Sequence, residues 1–461
     1  MKRTTLALAI ALALAGCAVG PAYVRPDVET PVAFKEGQGA WVKAVPADML
    51  ERGPWWELFQ DADLNTLAAQ VEVNNQNVAQ AVARYDQARA IVAEQRASLF
   101  PSVNLTGGAT RSGGRGDTPE RNNFSVSVGA SWEPDLWGRL RRTVDAARAS
   151  EQASAADLQS AKLSAQTELA TDYFNLRQLD AAITLQAGTI KGYERSFTIA
   201  QNRYNAGIVA RTDLLQAQTQ LANARADMLS LERQRANLEH AIAVLVGRAP
   251  GNFTLVPRPT WVAVVPEIPF DVPSTLLQRR PDIAAAERRV AQANDQIGIA
   301  LSGYFPSLRL SGSGGSSAAR IADLFNPSAL VWSIGASLAQ TLFDAGATSA
   351  RVEQARAGLR EASAAYRQTV LAAFQNVEDQ LVASRILQQQ LVLREEASRA
   401  ADLVEQQVLN RYLAGQVSFT EVVNAQVTAA NARRALSQAI ADRDVAAVAL
   451  INALGGGWKG L

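Results

Sequence analysis

The sequence contains one cysteine, Cys17, and one histidine, His240, among 461 residues. This scarcity excludes a His/Cys metal cluster and a Cys–His catalytic pair. Neither sign of charge is in excess, because 45 Lys and Arg accompany 44 Asp and Glu, so nothing indicates a nucleic-acid-binding surface. No nucleophile elbow, phosphate-binding loop or metal-ligand set appears. We therefore expect no enzyme, no resident metal or cofactor, and no nucleic-acid partner.

The N-terminus has the pattern of an export signal. Lys2 and Arg3 form a short basic region, and the stretch Leu6–Leu14 that follows is almost wholly apolar. An apolar run of this length is typical of a signal-peptide core and is too short to span a bilayer as a helix. The chain is therefore predicted to be exported.

The residues Leu14-Ala15-Gly16-Cys17 resemble the bacterial lipoprotein box. The resemblance implies a signal peptide over residues 1–16 and a diacylglycerol and an N-acyl chain on Cys17. An ordinary secretory leader with an incidental cysteine is the alternative. Ala18 follows in place of the Asp that often retains such lipoproteins in the inner membrane, so the outer membrane is favoured. Because one acyl chain binds a membrane only weakly, a second membrane attachment is expected.

The two halves of the chain repeat each other. Phe100-Pro101-Ser102 recurs 205 positions later as Phe305-Pro306-Ser307. Between Arg203–Gln218 and Arg411–Gln426, eight of sixteen positions are identical. Matches in the same order at a slowly drifting offset indicate two copies of one structural unit. We predict a lipidated extended segment over 17–60, a first repeat over 61–246, a Pro-rich linker over 247–281, a second repeat over 282–454 and a tail over 455–461.

Each repeat contains the same series of predicted elements. A helical stretch comes first and ends at Pro101 or Pro306, because a proline within a helix removes a backbone hydrogen bond and clashes with the preceding turn. Two segments with period-two alternation follow, and then a very long stretch without proline that is rich in good helix formers. A glycine ends that stretch and a second helix returns. The predicted helices are 61–99, 138–206 and 212–246 in the first repeat and 282–304, 346–414 and 420–454 in the second, and the predicted hairpins are 103–133 and 308–340.

The alternating segments divide their side chains between two faces. Val103 and Leu105 fall on one face, whereas Asn104 and Thr106 fall on the other. The partner segment places Phe124, Val126, Val128, Ala130 and Trp132 on one face and Ser125, Ser127, Gly129 and Ser131 on the other. Strands of about 9–11 residues are long enough to cross a membrane at a tilt. The pattern predicts transmembrane strands with an apolar and a hydroxyl-rich face.

Four strands cannot close a barrel, and an open edge in lipid leaves backbone groups unpaired. Several chains must therefore share one barrel. Two chains would supply eight strands, whose interior fills with side chains, whereas three supply twelve and leave a lumen. We predict a mixed α and β membrane protein with four strands per protomer in a twelve-stranded trimeric barrel. A lipid-anchored coiled-coil scaffold without a pore is the alternative.

The chain resembles the TolC/OprM outer-membrane factor family, specifically its lipidated NodT-type branch. The resemblance covers nearly the whole mature chain, and its most specific parts are Trp55–Leu67, Phe100–Ser102, Leu136–Arg139, Arg279–Ile283 and the two segments beginning at Arg203 and Arg411. It implies a homotrimer whose barrel continues as an α-helical tunnel into the periplasm of a Gram-negative bacterium. It also implies two partners, a periplasmic adaptor and an inner-membrane transporter of the proton-driven RND type.

The same resemblance places a gate at the inner end of the tunnel, near the turns at Gly207 and Gly415. The position that matches the family's tip aspartate is Asp213, and Tyr412 matches a tyrosine that links neighbouring hairpins in the closed state. We hypothesise that an Asp213–Tyr412 contact holds the tip shut.

Family members often carry two acids one turn apart on the pore-lining helix. The matching residues here are Glu421 and Asn424, so an amide replaces one acid, and Val417 stands where an arginine is common. Glu421, Asn424 and the adjoining Thr420 are gate candidates, because three Glu421 carboxylates facing one another would attract cations. The alternative is that Glu421 caps the start of the returning helix.

These inferences predict the outer-membrane exit channel of a tripartite efflux system for small toxic molecules. A duct for type I polypeptide secretion is an alternative, because the partner pump selects the substrate.

Overall fold

The computed structural model describes residues 19–36, 54–114, 120–259, 261, 264–266 and 280–456. The predicted signal peptide, Cys17, much of the predicted linker and most of the predicted tail lie outside these residues. The helices are α1 (Ala62–Asn74), α2 (Gln76–Ala97), α3 (Arg139–Asn205), α4 (Arg211–Leu245), α5 (Pro281–Leu301), α6 (Ala347–Leu413) and α7 (Phe419–Ala453), and the strands are β1 (Ser102–Ser112), β2 (Arg121–Trp132), β3 (Ser307–Ala318) and β4 (Leu330–Ala339). In the part of the chain described, no helix combines the length and apolarity needed to cross a membrane.

The chain divides into two compact units. The described parts of 1–28, 83–156 and 284–369 form what we call the sheet unit, which contains all four strands. The described parts of 29–82, 157–283 and 370–461 form the helical unit, which contains the C-terminal ends of α3 and α6 together with α4 and α7.

The four strands form one antiparallel sheet in the order β1-β2-β3-β4. Its register confirms the two predicted faces, because Leu105 lies opposite Val128 and Thr106 lies opposite Ser127. On the hydroxyl face the Thr106 and Ser127 hydroxyls are 2.9 Å apart. On the other face Trp332 and Ile334 are 75% and 83% exposed. The sheet thus presents large apolar side chains to its surroundings on one face and hydroxyl groups on the other.

The strand predictions for the second half need one correction. In the hairpin predicted over 308–340, clear alternation of apolar and polar residues ends at Ser311, but β3 continues to Ala318 through a run of glycine and serine. Glycine and serine have low strand propensity, but backbone hydrogen bonds to β2 on one side and β4 on the other hold this run in the sheet. The strand is therefore longer than its alternation alone indicates.

The two long helices begin with the same local arrangement. Asp135 accepts hydrogen bonds from the N–H groups of Leu140 and Arg141 at 3.0 and 2.9 Å. Before α6, Asp344 accepts from the N–H of Thr348 at 2.7 Å. These carboxylates satisfy N–H groups that the first helical turn leaves unpaired. Each capping aspartate precedes a glycine with positive φ, Gly138 at 79° and Gly346 at 90°, which lets the chain turn from sheet to helix.

The helix predicted over 61–99 is wrong as a single element, because the chain breaks at Asn75 between α1 and α2. Asn75 is buried, and its side-chain carbonyl accepts from the N–H groups of Asn77 and Val78 at 2.9 and 3.1 Å. Its side-chain amide donates to the carbonyl of Leu245, at the end of α4, at 2.8 Å. One asparagine therefore caps α2 and ties the break to the returning helix.

The core of the helical unit packs aromatic residues of a short 3-10 helix against α3. Phe59 lies 4.9 Å from the ring of Phe174, and Trp55 is almost completely buried. Beside them the wholly buried guanidinium of Arg177 donates to Asp180 at 2.9 Å and to the carbonyl of Val256, in the linker, at 2.9 Å. The described part of the linker is thus held by polar bonds to α3.

The structure shows helical elements at both ends of the segment predicted as a Pro-rich linker over 247–281. Pro250–Asn252 forms a 3-10 turn, and α5 begins at Pro281. Proline is well suited to the first helical position, because its missing N–H would be unpaired there in any case.

Candidate functional site

The two long helices end in matching turns at Gly207 and Gly415. Their φ angles are 71° and 74°, the left-handed region in which residues with a Cβ are disfavoured. The N–H of Ile208 donates to the carbonyl of Arg203, and the N–H of Gln416 donates to the carbonyl of Arg411, each at 2.9 Å. These bonds satisfy helix-terminal carbonyls and reverse the chain into α4 and α7.

Tyr412 lies at the end of α6 and is 3% exposed. Its ring centroid is 5.4 Å from that of Phe419, the first residue of α7. On another side the guanidinium carbon of Arg203 lies 4.7 Å from the same ring, a cation–π distance. The tyrosine is therefore packed between the ends of α3 and α6 and the start of α7.

The Tyr412 hydroxyl is buried without a hydrogen-bond partner among the described residues. Burial raises the pKa of this phenol, Arg203 opposes the change, and the Asp213 carboxylate raises it further. No hydrogen bond joins the side chains of Tyr412 and Asp213. The Asp213–Tyr412 contact at the gate remains a prediction.

Glu421 lies at the third position of α7 and forms a capping box with Ser418. The backbone N–H of Ser418 donates to Glu421 Oε1 at 3.5 Å, and the N–H of Glu421 donates to the Ser418 carbonyl at 3.2 Å. This arrangement matches the capping role considered for Glu421. Its side chain is nevertheless exposed, so capping leaves the carboxylate accessible.

The gate candidates on α7 face two different grooves. Glu421 and Asn424 line a groove opposite Ala397 and Val404 of α6. Thr420 lines another groove, between α7 and the residues Thr212, Leu215, Gln216, Thr219 and Gln220 of α4. The structure therefore brings Glu421 and Asn424 together and separates Thr420 from them.

Two contacts at the tip were not foreseen from the sequence. Arg203 donates a hydrogen bond to the carbonyl of Tyr412 at 2.9 Å, and Gln426 donates to the hydroxyl of Ser196 at 2.9 Å in a buried position. Both link α3 to elements of the second half of the chain. The repeated Arg-Tyr pair at the ends of the long helices was the available signal, but it does not reveal which arginine meets which tyrosine.

Comparison with known proteins agrees with this architecture. The sequence matches the outer membrane efflux protein family over residues 67–248 and 272–456. It is 30% identical over 469 residues to "Toluene efflux pump outer membrane protein TtgC" of Pseudomonas putida, covering 99% of this chain and 96% of the relative. It is 26% identical over 463 residues to "Probable outer membrane lipoprotein SilC" of Salmonella typhimurium, covering 99% of each. The solved structure of the outer-membrane channel OprN superposes with a TM-score of 0.88 at 30% identity, covering 96% of this chain and 100% of that one. The chain therefore belongs to the outer membrane efflux protein family.

Proposed function

We propose that three copies of this outer-membrane efflux protein form one channel. Their strands complete a twelve-stranded barrel, and their helices form a tunnel through the periplasm. Acyl chains on Cys17 add a lipid anchor, which the likeness to a lipoprotein relative supports. A periplasmic adaptor and an inner-membrane transporter of the RND type deliver small toxic molecules to the tunnel, a substrate class in line with the toluene pump named for one relative. No catalytic role is part of the proposal.

The observation that carries the proposal is the two-faced sheet. Its outer strands, β1 and β4, each pair on one side only within the described chain. Unpaired backbone groups in lipid cost several kcal/mol each, so both edges need strands from other copies. The exposed apolar face fits hydrocarbon, and the hydroxyl face fits a water-filled lumen.

Native mass spectrometry of the detergent-solubilised protein tests the assembly. We expect one species with three chains, and purified trimers should conduct ions in planar bilayers. A monomer or dimer without conductance would contradict the channel and favour the coiled-coil scaffold.

The tip is proposed as the gate, closed in part through Tyr412. The support is the buried position of Tyr412 between three helix ends and its hydroxyl, which has no hydrogen-bond partner in the described part of the chain. Tyr412→Phe deletes only the hydroxyl and is expected to raise the open probability of single channels. Tyr204→Phe is the matched control, because Tyr204 occupies the equivalent place at the end of α3 but is exposed. Equal open probability of Tyr412→Phe and the native channel would remove the hydroxyl from the gate.

The carboxylate of Glu421 is proposed to attract cations in the trimer as well as capping α7. Glu421→Gln retains an oxygen for the capping bond but loses the charge. Block of the channel by divalent cations should weaken in Glu421→Gln and strengthen in Asn424→Asp, which adds a second acid on the same groove. Unchanged block in both variants would leave Glu421 with the capping role alone.

The secretion alternative makes a different prediction about cargo. Cells that lack the protein should become sensitive to small toxic compounds if it serves efflux. If they remain resistant but lose an exported polypeptide from the medium, the duct serves type I secretion.

A further inference from the structure

A cavity of about 360 Å³ lies in the sheet unit, where β2 ends, β3 begins and β4 ends. This volume is within the usual range for sites that hold small molecules. Its walls combine apolar residues, among them Leu136, Phe305 and Leu308, with polar residues, among them Arg139 and Gln340. The residues that line this cavity are different from the tip residues described above.

One wall of the cavity is a fixed aromatic pair. The rings of Trp137 and Phe305 stack with centroids 4.9 Å apart. The indole N–H of Trp137 donates to the carbonyl of Pro306 at 2.7 Å, which fixes the orientation of the ring. Such a preorganised apolar wall can receive a hydrocarbon group without rearrangement.

The polar groups of the cavity do not suit a phosphate. Arg139 already pairs with Glu133 at 2.7 Å, and Asp135 is the second carboxylate in the lining. Two carboxylates beside one guanidinium would repel an anionic headgroup. Neutral ester groups fit better, because their carbonyl oxygens accept from donors such as Arg139 and Gln340 without adding charge.

The chain segment that begins at Val19 is bonded to Trp137, one of the residues that line this cavity. The N–H of Val19 donates to the carbonyl of Trp137 at 3.0 Å. Gly20, with φ of 120°, lies so close to α5 that a Cβ there would be 2.6 Å from the Cα of Gly298. A Cβ on Gly298 would in turn lie 2.8 Å from the carbonyl oxygen of Val19. The backbone at Val19 and Gly20 is therefore in direct contact with α5.

We propose that the cavity seats the glyceride esters of acylated Cys17, with the acyl tails continuing into the membrane. This inference rests on the proposed lipid anchor. Two residues span at most about 7 Å, so the chain length between Cys17 and Val19, which bonds to Trp137, allows the acylated residue to reach this cavity. The mixed lining matches a neutral diester better than a fully apolar pocket would. The seat gives the anchor a fixed position at one end of the strands, so that lipid and sheet enter the bilayer together.

Photo-crosslinking tests the seat in the native assembly. Benzoylphenylalanine is placed at Phe305, the protein is purified from illuminated cells, and proteolytic peptides are identified by mass spectrometry. We expect the peptide containing position 305 to be joined to the acylated N-terminal peptide. Phe343 is the control position, because it is also close to the start of a long helix but is 88% exposed, and should give no such product. Leu308 is a second probe position if the change at Phe305 prevents assembly.

A pair of variants at Val19 tests how the anchor is directed. Val19→Pro removes the N–H that bonds to Trp137, whereas Val19→Ala retains it. The crosslink yield should fall about fivefold in the proline variant, as the loss of one backbone hydrogen bond would cause, and stay unchanged in the alanine variant. Equal yields in both would overturn the role of this bond in seating the lipid.

The possible failures are distinguishable. In one outcome the N-terminal peptide is acylated, but position 305 is crosslinked only to free phospholipid or to nothing. This outcome would overturn the proposed lipid site and leave the anchored channel intact. An N-terminal peptide without acyl groups would overturn the anchor and the seat together, while conductance would still report on the channel.

Discussion

The guanidinium of Arg203 lies over the ring of Tyr412 and donates to the carbonyl oxygen of the same residue, 2.9 Å away. Arg203 is in the last turn of α3 and Tyr412 is in the last turn of α6, so the pair joins two helix C-termini. A cation at this place also opposes the partial negative charge of both helix ends. The contact is a direct link between the tips of the two long helices.

We expect Arg203→Gln to weaken tip closure. The variant loses both the cation–π contact and the hydrogen bond, which together correspond to about a tenfold change in the ratio of open to closed channels. Single-channel recording measures the ratio. Arg411→Gln is the matched control, because Arg411 is the equivalent residue of α6 and is exposed. Similar open probabilities in the two variants would count against the Arg203 contact as part of the gate.

Stability is expected to decline with rising pH because of Asp444 in α7. This side chain is completely buried, and neither carboxylate oxygen has a hydrogen-bond partner among the described residues. Burial raises the pKa of the carboxyl to about 7, with partial opposition from Arg443. Folding therefore favours the protonated form, so its contribution is complete below about pH 4 and decreases by about 1.4 kcal/mol per pH unit towards pH 7.

The variant Asp444→Asn tests this dependence. Thermal unfolding followed by circular dichroism should give a higher midpoint than the native protein at pH 7.5 and a flatter pH profile between pH 4 and 7. Asp442→Asn, two residues earlier and partly exposed, should retain the native profile. A native profile in Asp444→Asn would show that another group is responsible.

Asp180→Asn should strongly destabilise the helical unit. Asp180 accepts from Arg177 at 2.9 Å and from Arg235 at 2.7 Å, and Arg177 has no exposed surface. Removing the charge leaves the buried Arg177 guanidinium paired with Asp63 alone, 3.0 Å away, and takes a carboxylate partner from Arg235, at a cost of about 3 kcal/mol. Unfolding in guanidinium chloride measures the loss.

An exposed ion pair on the protein surface serves as the control for the buried pairs of Asp180. Glu353 and Arg356 are 2.7 Å apart with both side chains more than half exposed. Glu353→Gln should therefore change stability by less than about 1 kcal/mol. If Asp180→Asn and Glu353→Gln lower the free energy of unfolding by the same amount, burial is not the reason that the Asp180 ion pairs stabilise the fold.

Gly315→Ala should disturb the pairing of β2 with β3. A Cβ at Gly315 would overlap the carbonyl oxygen of Val126, which is backbone and cannot move aside. Gly314→Ala is the control on the neighbouring residue, where a Cβ would meet nothing within 4 Å. We expect Gly315→Ala to lower the yield of heat-resistant oligomer on gels and Gly314→Ala to leave it unchanged. Equal yields of heat-resistant oligomer from the two variants would show that β2 and β3 can shift enough to accommodate a methyl group at position 315.

Local patterns predicted most of the secondary structure. The first long helix was predicted over 138–206 and is observed as Arg139–Asn205, because good helix formers run without proline up to Gly207. Period-two alternation assigned Leu105 and Val128 to one face before their pairing was known. The break at Asn75 was missed, because a polar residue within a helical pattern does not reveal that its side chain will cap a new helix and bind Leu245, 170 positions away.

The candidate site was only partly visible in the sequence. Ser418 and Glu421 have the spacing of a capping box, so their local bond could be foreseen. Tyr412 and Asp213 were identified by resemblance, and the contact between them remains a prediction. The partner of Arg203 could not be foreseen, because nothing in a repeated Arg-Tyr pair specifies a contact across 209 positions.

Local sequence specifies the repeated order of helices and strands, the two faces of each strand and the turns at the helix ends, because these depend on neighbours within a few positions. The pairing of β2 with β3, the stacking of Arg203 on Tyr412 and the burial of Asp444 depend on the tertiary structure. It also decided that Val19 meets Trp137 beside a cavity. Each of these joins segments remote in sequence, and such contacts arise only from how the assembled elements pack.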